Sequence, residues 1–193
     1  MIKNRKRAIL TVAEMYRADA SVVASGIPGQ KLMEAAGKAV ADVVIKRGYQ
    51  KVAVLCGPGN NGGDGFVTAR YLADAGIDIK VALLGELSAL KDDARLNAGR
   101  WAGYISELLP SVLMDVDCII DAVFGAGLSR ELDSVVGAII DAADGIPCIA
   151  VDVPSGVQGD TGQILGKAFK ALETITFFRP KPGHVLFPGC QHC

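Results

Sequence analysis

No apolar stretch in the 193-residue chain comes near the roughly 20 residues needed to cross a bilayer. Ala8-Ile9-Leu10 is also too short for the apolar segment of a secretory signal. These absences predict a soluble, unexported, cytoplasmic protein with no membrane partner. An excess of one charge is missing too: 20 Lys and Arg stand against 21 Asp and Glu, a net charge of -1, so no broad field invites nucleic acid. Lys3, Arg5, Lys6 and Arg7 are a local exception, read as part of a solvated tail over residues 1–10. No repeat or long linker divides the rest, which predicts one domain over residues 11–193.

Histidine and paired cysteine are scarce as well. His184 and His192 are the two histidines, and neither falls in the loops singled out below, which argues against a Ser-His-Asp triad, a His-based zinc centre or a His general base. Cys190 and Cys193 flank His192 in one C-x-x-C at the C-terminus, but a structural zinc site wants four ligands and no second pair exists. Cysteine is odd in number at five, and Cys56, Cys118 and Cys148 sit in or beside apolar runs, as free thiols of a reducing compartment do.

What is present alternates helix and strand. Thr11 with Glu14 three residues on forms a capping box before the helical spacing of Val12, Met15, Ala18 and Val22. Pro28 opens a second helix that Gly48 ends. Strands are expected at 51–56, 78–84, 117–124, 147–153 and 173–178, with helices at 64–75, 91–104 and 131–143 between them. The strands are apolar at consecutive positions, as in Val52-Ala-Val-Leu55, which marks strands covered on both faces and hence a mostly parallel sheet between helix layers.

In such sheets ligands bind beyond the carboxyl ends of the strands. Three segments fall there. Gly57-Pro-Gly-Asn-Asn-Gly-Gly-Asp-Gly65 carries five glycines in nine residues, more than a capped turn needs, and is read as a backbone cradle for an anion at a helix start. Asp121 ends an apolar strand before a glycine-bearing loop with Ser129 and Arg130, and a carboxylate there needs a partner. Asp152-Val-Pro-Ser-Gly156 ends the next strand. Catalysis in this crevice therefore falls to a carboxylate.

Gly57-x-Gly59-x-x-Gly62 also matches the dinucleotide fingerprint, with Glu86 at a suitable distance for a ribose, so an NAD-dependent dehydrogenase is one hypothesis. Two leading helices, the continuing glycines and the polar Asn60, Asn61 and Asp64 depart from it.

Taken together, the first segment through Phe66, Asp121-Ala-Val-Phe-Gly125 and Val151-Asp-Val-Pro-Ser-Gly156 closely resemble the NAD(P)H-hydrate epimerase family, the YjeF N-terminal domain. Leu32-Met33-Glu34-Ala-Ala-Gly37, Gly159-Asp160-Thr-Gly162 and Lys181-Pro-Gly-His184 look like further landmarks. The resemblance implies a Rossmann-like three-layer sandwich, homodimerisation, and interconversion of the R and S forms of NADHX and NADPHX, in which water has added at C6 of the reduced nicotinamide. A separate ATP- or ADP-dependent dehydratase then returns the S form to NAD(P)H.

By position, the resemblance places substrate contacts at Asn60, Asn61, Gly62, Gly63 and Asp64, at Gly125, Ala126, Gly127, Leu128, Ser129, Arg130 and Glu131, and at Asp152. It places a potassium ion on Asn61, Asp121 and Ser155, all hard oxygen donors. Asp152 is the expected acid–base group, protonating the leaving hydroxyl and deprotonating the incoming water. Members of the family usually continue into a further strand or a dehydratase domain, so the chain's end at Cys193 is expected to lack a closing edge of the sheet. A non-catalytic binding module of the same fold is the rival, and the intact set of Asn61, Asp121, Asp152 and Ser155 argues against it.

Overall fold

The structure, a computed structural model, describes residues 8–193, so Lys3, Arg5, Lys6 and Arg7 lie outside the described residues. Thr11 caps the first helix, α1 (Val12–Ala24): the Glu14 amide donates to Thr11 Oγ1 at 3.3 Å, and Glu14 Oε2 accepts from the Thr11 amide at 2.8 Å. Leu10, read from sequence as part of the tail, is tied to the domain, its amide donating to the Pro180 carbonyl at 3.0 Å. Pro28 precedes α2 (Gly29–Arg47), which Gly48 ends in the left-handed region at φ 80°.

The remaining elements are β1 (Lys51–Cys56), α3 (Asn60–Asp74), β2 (Asp78–Leu83), α4 (Asp92–Arg100), β3 (Ile105–Glu107), β4 (Cys118–Ala122), α5 (Ser134–Ala142), β5 (Cys148–Val151) and β6 (Glu173–Ile175). All six strands run parallel in the order β3-β2-β1-β4-β5-β6. The chain steps outward from β1 to β3, returns to lay β4 against β1, and steps outward again to β6. A crevice opens where that direction reverses, at the carboxyl ends of β1 and β4.

Both faces of the sheet are covered, which is why its strands read as unbroken apolar runs. Val52, Val54 and Cys56 of β1 pack with Val40, Val44, Phe66 and Leu72 of α2 and α3. Ala53 and Leu55, pointing the other way, pack with Val136 and Ile139 of α5 and with Val112 and Leu113 of a 3₁₀ turn. The result is the expected Rossmann-like three-layer sandwich.

Several boundaries differ from the sequence reading. The helix predicted over 91–104 stops at Arg100, because Trp101 turns extended and its indole N–H donates to the Tyr104 carbonyl at 3.2 Å. The residues after it form β3, a three-residue edge strand too short to show a period. Helix α5 starts at Ser134 rather than 131, where Asp133 caps it by accepting from the Val136 amide at 3.0 Å. Among the described residues no helix is long and apolar enough to cross a membrane. All five cysteines are free, with Cys56, Cys118 and Cys148 buried.

Candidate active site

Helix α3 begins at Asn60, four residues before the start predicted from sequence, so most of the glycine-rich segment is helix rather than loop. None of its five glycines has positive φ. Close packing explains four of them. A Cβ on Gly57 would fall 1.8 Å from the Val123 carbonyl oxygen, one on Gly62 1.9 Å from the Gly57 carbonyl oxygen, one on Gly63 2.6 Å from the Met33 sulfur, and one on Gly65 2.7 Å from Ala122 Cβ. These glycines let the helix lie directly on the β1 and β4 ends. Gly62 and Gly63 are themselves buried, and of the expected contact residues in this segment Asn60, Asn61 and Asp64 line the crevice. Gly59, the N-cap, offers no side-chain cap, which leaves amides of the first turn of α3 free for an anion.

Beyond β4, Asp121 is fully buried. Its Oδ2 accepts from the Ser155 amide at 2.7 Å and its Oδ1 from Ser155 Oγ at 2.5 Å and the Val123 amide at 3.3 Å. Ser155 Oγ in turn accepts from the Phe124 amide at 2.8 Å, tying the loops after β4 and β5 together. Burial pushes the Asp121 carboxyl up to about 6, against the pull of these hydrogen bonds. Asp121 and Ser155 lie behind the crevice wall and do not line it.

Asp152 follows β5 directly, in the left-handed region at φ 67°. Its Oδ1 takes the ammonium of Lys181 and accepts from Thr176 Oγ1 at 3.1 Å, while its Oδ2 accepts from the Ala126 amide at 3.2 Å. Lys181 is sealed off, with 3% of its side chain exposed, and also donates to Thr176 Oγ1 at 2.9 Å. His184 supports the same residue from its backbone side. Its Nδ1 accepts from the Lys181 amide at 2.9 Å, which leaves Nε2 to donate to the Asp152 carbonyl at 2.7 Å. Both ring nitrogens are thus committed to backbone, so His184 braces the loop and has no free nitrogen for proton transfer.

These loops enclose a crevice of about 630 Å³. Gly125 stands between its two polar walls, since a Cβ there would lie 3.0 Å from Asn61 Oδ1 and 3.3 Å from Asp152 Oδ2. Gly125, Ala126, Gly127, Leu128, Ser129 and Arg130 all line the crevice, whereas Glu131 does not. Helix α1 contributes Tyr16 and Asp19, and α2 contributes Leu32 and Met33. Asp64 is held well above the usual carboxylate range, first by burial and then by the negative charges of Asp152 and Asp19. The arrangement offers a carboxylate locked in place, a second carboxyl group favouring its neutral form, and free helix amides.

Residues 29–183 match the family described as YjeF-related protein N-terminus. The chain belongs to that family. It is 42% identical over 180 residues to the bifunctional NAD(P)H-hydrate repair enzyme Nnr of Thermofilum pendens, an alignment covering 86% of this chain and 34% of that protein. It is 36% identical over 187 residues to the NAD(P)H-hydrate epimerase of Limosilactobacillus fermentum, covering 93% of this chain and 90% of that one. The chain thus spans about a third of the bifunctional relative and nearly all of the single-function one. Among solved structures, that of yeast ynu0 superposes with a TM-score of 0.80 at 24% identity, covering 95% of this chain and 86% of that one, a likeness of fold.

Within the YjeF-related frame, the potassium ligands expected from sequence have a suitable donor set. Asn61 Nδ2 is buried without a hydrogen-bond partner. An amide has two near-equivalent ends, and turning this one over would place its carbonyl oxygen where the unpartnered nitrogen now sits. That oxygen, the Asp121 carboxylate and the Ser155 hydroxyl are the hard donors a monovalent cation takes, so the residues fit the ion. Sequence reasoning missed Lys181 and Thr176 as partners of Asp152, and Tyr16 and Asp19 as crevice residues. The sequence marked Lys181 only as part of the Lys181-Pro-Gly-His184 landmark and by its place between Pro180 and Pro182, which stiffens the backbone on either side.

Proposed function

We propose that the chain interconverts the R and S epimers of C6-hydrated NADH and NADPH, as the names of its relatives indicate. The observation that carries this reading is Asp152, a carboxylate fixed at the crevice by Lys181, Thr176 and the Ala126 amide. Asp152 acts as the acid–base group. In its protonated form it gives a proton to the C6 hydroxyl, which leaves as water while the ring nitrogen's lone pair forms a planar iminium. Water then adds to the opposite face and returns its extra proton to Asp152, so atoms and charge balance.

Amides at the start of α3 bind the pyrophosphate, and Asn60, Asp64, Ser129 and Arg130 contact the rest of the dinucleotide. Asn61, Asp121 and Ser155 would hold a potassium ion, whose positive charge would favour the ionised form of Asp121, and the Ser155–Asp121 hydrogen bonds keep the two loops in register. Two copies pair, a reading supported by the exposed Tyr16, Val23 and Ile27 on and after α1. The protein works in the cytoplasm beside an ATP- or ADP-dependent dehydratase that consumes the S epimer.

The test gives purified protein NADHX epimers together with an S-specific dehydratase, which removes the S form at once and stalls until R is converted. Loss of R faster than its spontaneous rate, abolished by Asp152→Asn, is the expected result. A folded wild-type protein that adds nothing to the spontaneous rate overturns the reading in favour of a binding module.

A further inference from the structure

Just after β6 the chain makes a turn its sequence resists. The Arg179 amide donates to the Phe177 carbonyl at 2.7 Å, closing a three-residue γ-turn around Phe178 at φ 59°. The positive-φ γ-turn is the rare and strained form, and a bulky residue in it is a backbone outlier. Burial does not compensate, because Phe178 is 64% exposed. An apolar ring left in water on a strained backbone adds nothing to the stability of the fold, and such strain gathers at sites that handle ligands.

Phe178 lines the crevice together with Asp152 and Lys181. Its ring is also held in position. The Arg179 guanidinium lies 4.3 Å from the ring centroid, and its Nη1 donates to the Phe178 carbonyl at 2.7 Å. Arg179 therefore covers part of the ring and fixes the turn from both the ring and the backbone side. What remains is a rigid, open aromatic surface at the edge of a dinucleotide-sized crevice.

We propose that Phe178 is a stacking platform that binds a planar ring of the dinucleotide, with Arg179 as its positioning residue. The proposal rests on the dinucleotide reading above and goes beyond it by naming the residue that recognises a ring. A dinucleotide has two candidate rings: the adenine, flat in every form, and the nicotinamide, flat and aromatic in NADP+ but partly saturated in the hydrated substrate.

Phe178→Gly separates a structural role from a binding one. Glycine adopts positive φ freely, so this variant is expected to melt a few degrees higher while binding NADP+ roughly tenfold more weakly. Phe178→Ala is expected to raise KM by a similar factor with kcat within about twofold, the pattern of lost uniform binding. In Phe178→Trp, NADP+ quenches the emission gained over wild type. Nicotinamide mononucleotide and AMP then form the two arms, and the one that reproduces the quench identifies the stacked ring.

Wild-type affinity for NADP+ in both Phe178→Gly and Phe178→Ala, or a lower melting temperature in Phe178→Gly, overturns the platform while leaving the epimerase reading intact. A wild-type protein that neither binds NADP+ nor converts NADHX overturns the dinucleotide reading and the platform with it.

Discussion

The sealed ammonium of Lys181 closes on the carboxylate of Asp152, 29 positions earlier in the chain. Removing either partner strands the other, and breaking a buried pair costs about 3–5 kcal/mol, somewhat less here because 17% of the Asp152 side chain stays exposed. Lys181→Met and Asp152→Asn are each expected to lose about 1–3 kcal/mol in urea unfolding. The double variant is expected to be more stable than the sum of the two losses implies, since no unpaired charge is left. Additive losses would show that the pair contributes no coupling.

Two glycines three positions apart make a matched pair. Gly62→Ala drives a methyl group into the Gly57 carbonyl, whereas a Cβ on Gly59 meets nothing within 4 Å. We expect Gly62→Ala to lose about 3 kcal/mol or more, and Gly59→Ala to stay within about 1 kcal/mol of wild type. Equal effects in thermal unfolding would contradict close packing as the reason for Gly62.

A potassium ion held on Asp121 would make its binding depend on pH. Its folded pKa of about 6 lies above the ordinary carboxylate value, so between about pH 4 and 6 the native state holds more protons than the unfolded one. Stability from this group is therefore lost as pH rises through that window, and at neutral pH the fold carries an ionised buried carboxylate. A cation on Asn61, Asp121 and Ser155 offsets the loss only where Asp121 is ionised. Replacing choline chloride by KCl at constant ionic strength should raise Tm more at pH 7.5 than at pH 5, and equal shifts at both would argue against the site.

Asp64 carries the same sign. Burial and its acidic neighbours raise its pKa, so its ionisation costs stability as pH climbs above about 4. Asp64→Asn removes the ionisable group, and the variant's advantage over wild type should grow from pH 5 to pH 8 in urea titrations. A constant difference across that range would place the burden elsewhere.

The layered fold was readable because its cause is written locally. Residues 52–55 are apolar at every position since helices cover both faces, and the loops after β1, β4 and β5 announce themselves by carboxylates and glycines at strand ends. The purpose of the glycines was not readable. Composition cannot distinguish a residue that frees φ from one that admits a carbonyl at 1.9 Å, as Gly62 does. The Asp152–Lys181 contact was hidden for another reason: lysine is nearly always solvated, and only the folded chain reveals that Lys181 is not. Edge strand β3, three residues long, has too little sequence to carry a period.

The left-handed backbone at Asp152 also sets the paths open to evolution. Only aspartate, asparagine and glycine enter that conformation readily, so most replacements there would be removed for misfolding before their chemistry mattered. A descendant of this domain that abandoned catalysis and survived as a binding protein should carry asparagine or glycine at position 152. In a genome, that single letter would separate a retired copy from a working one.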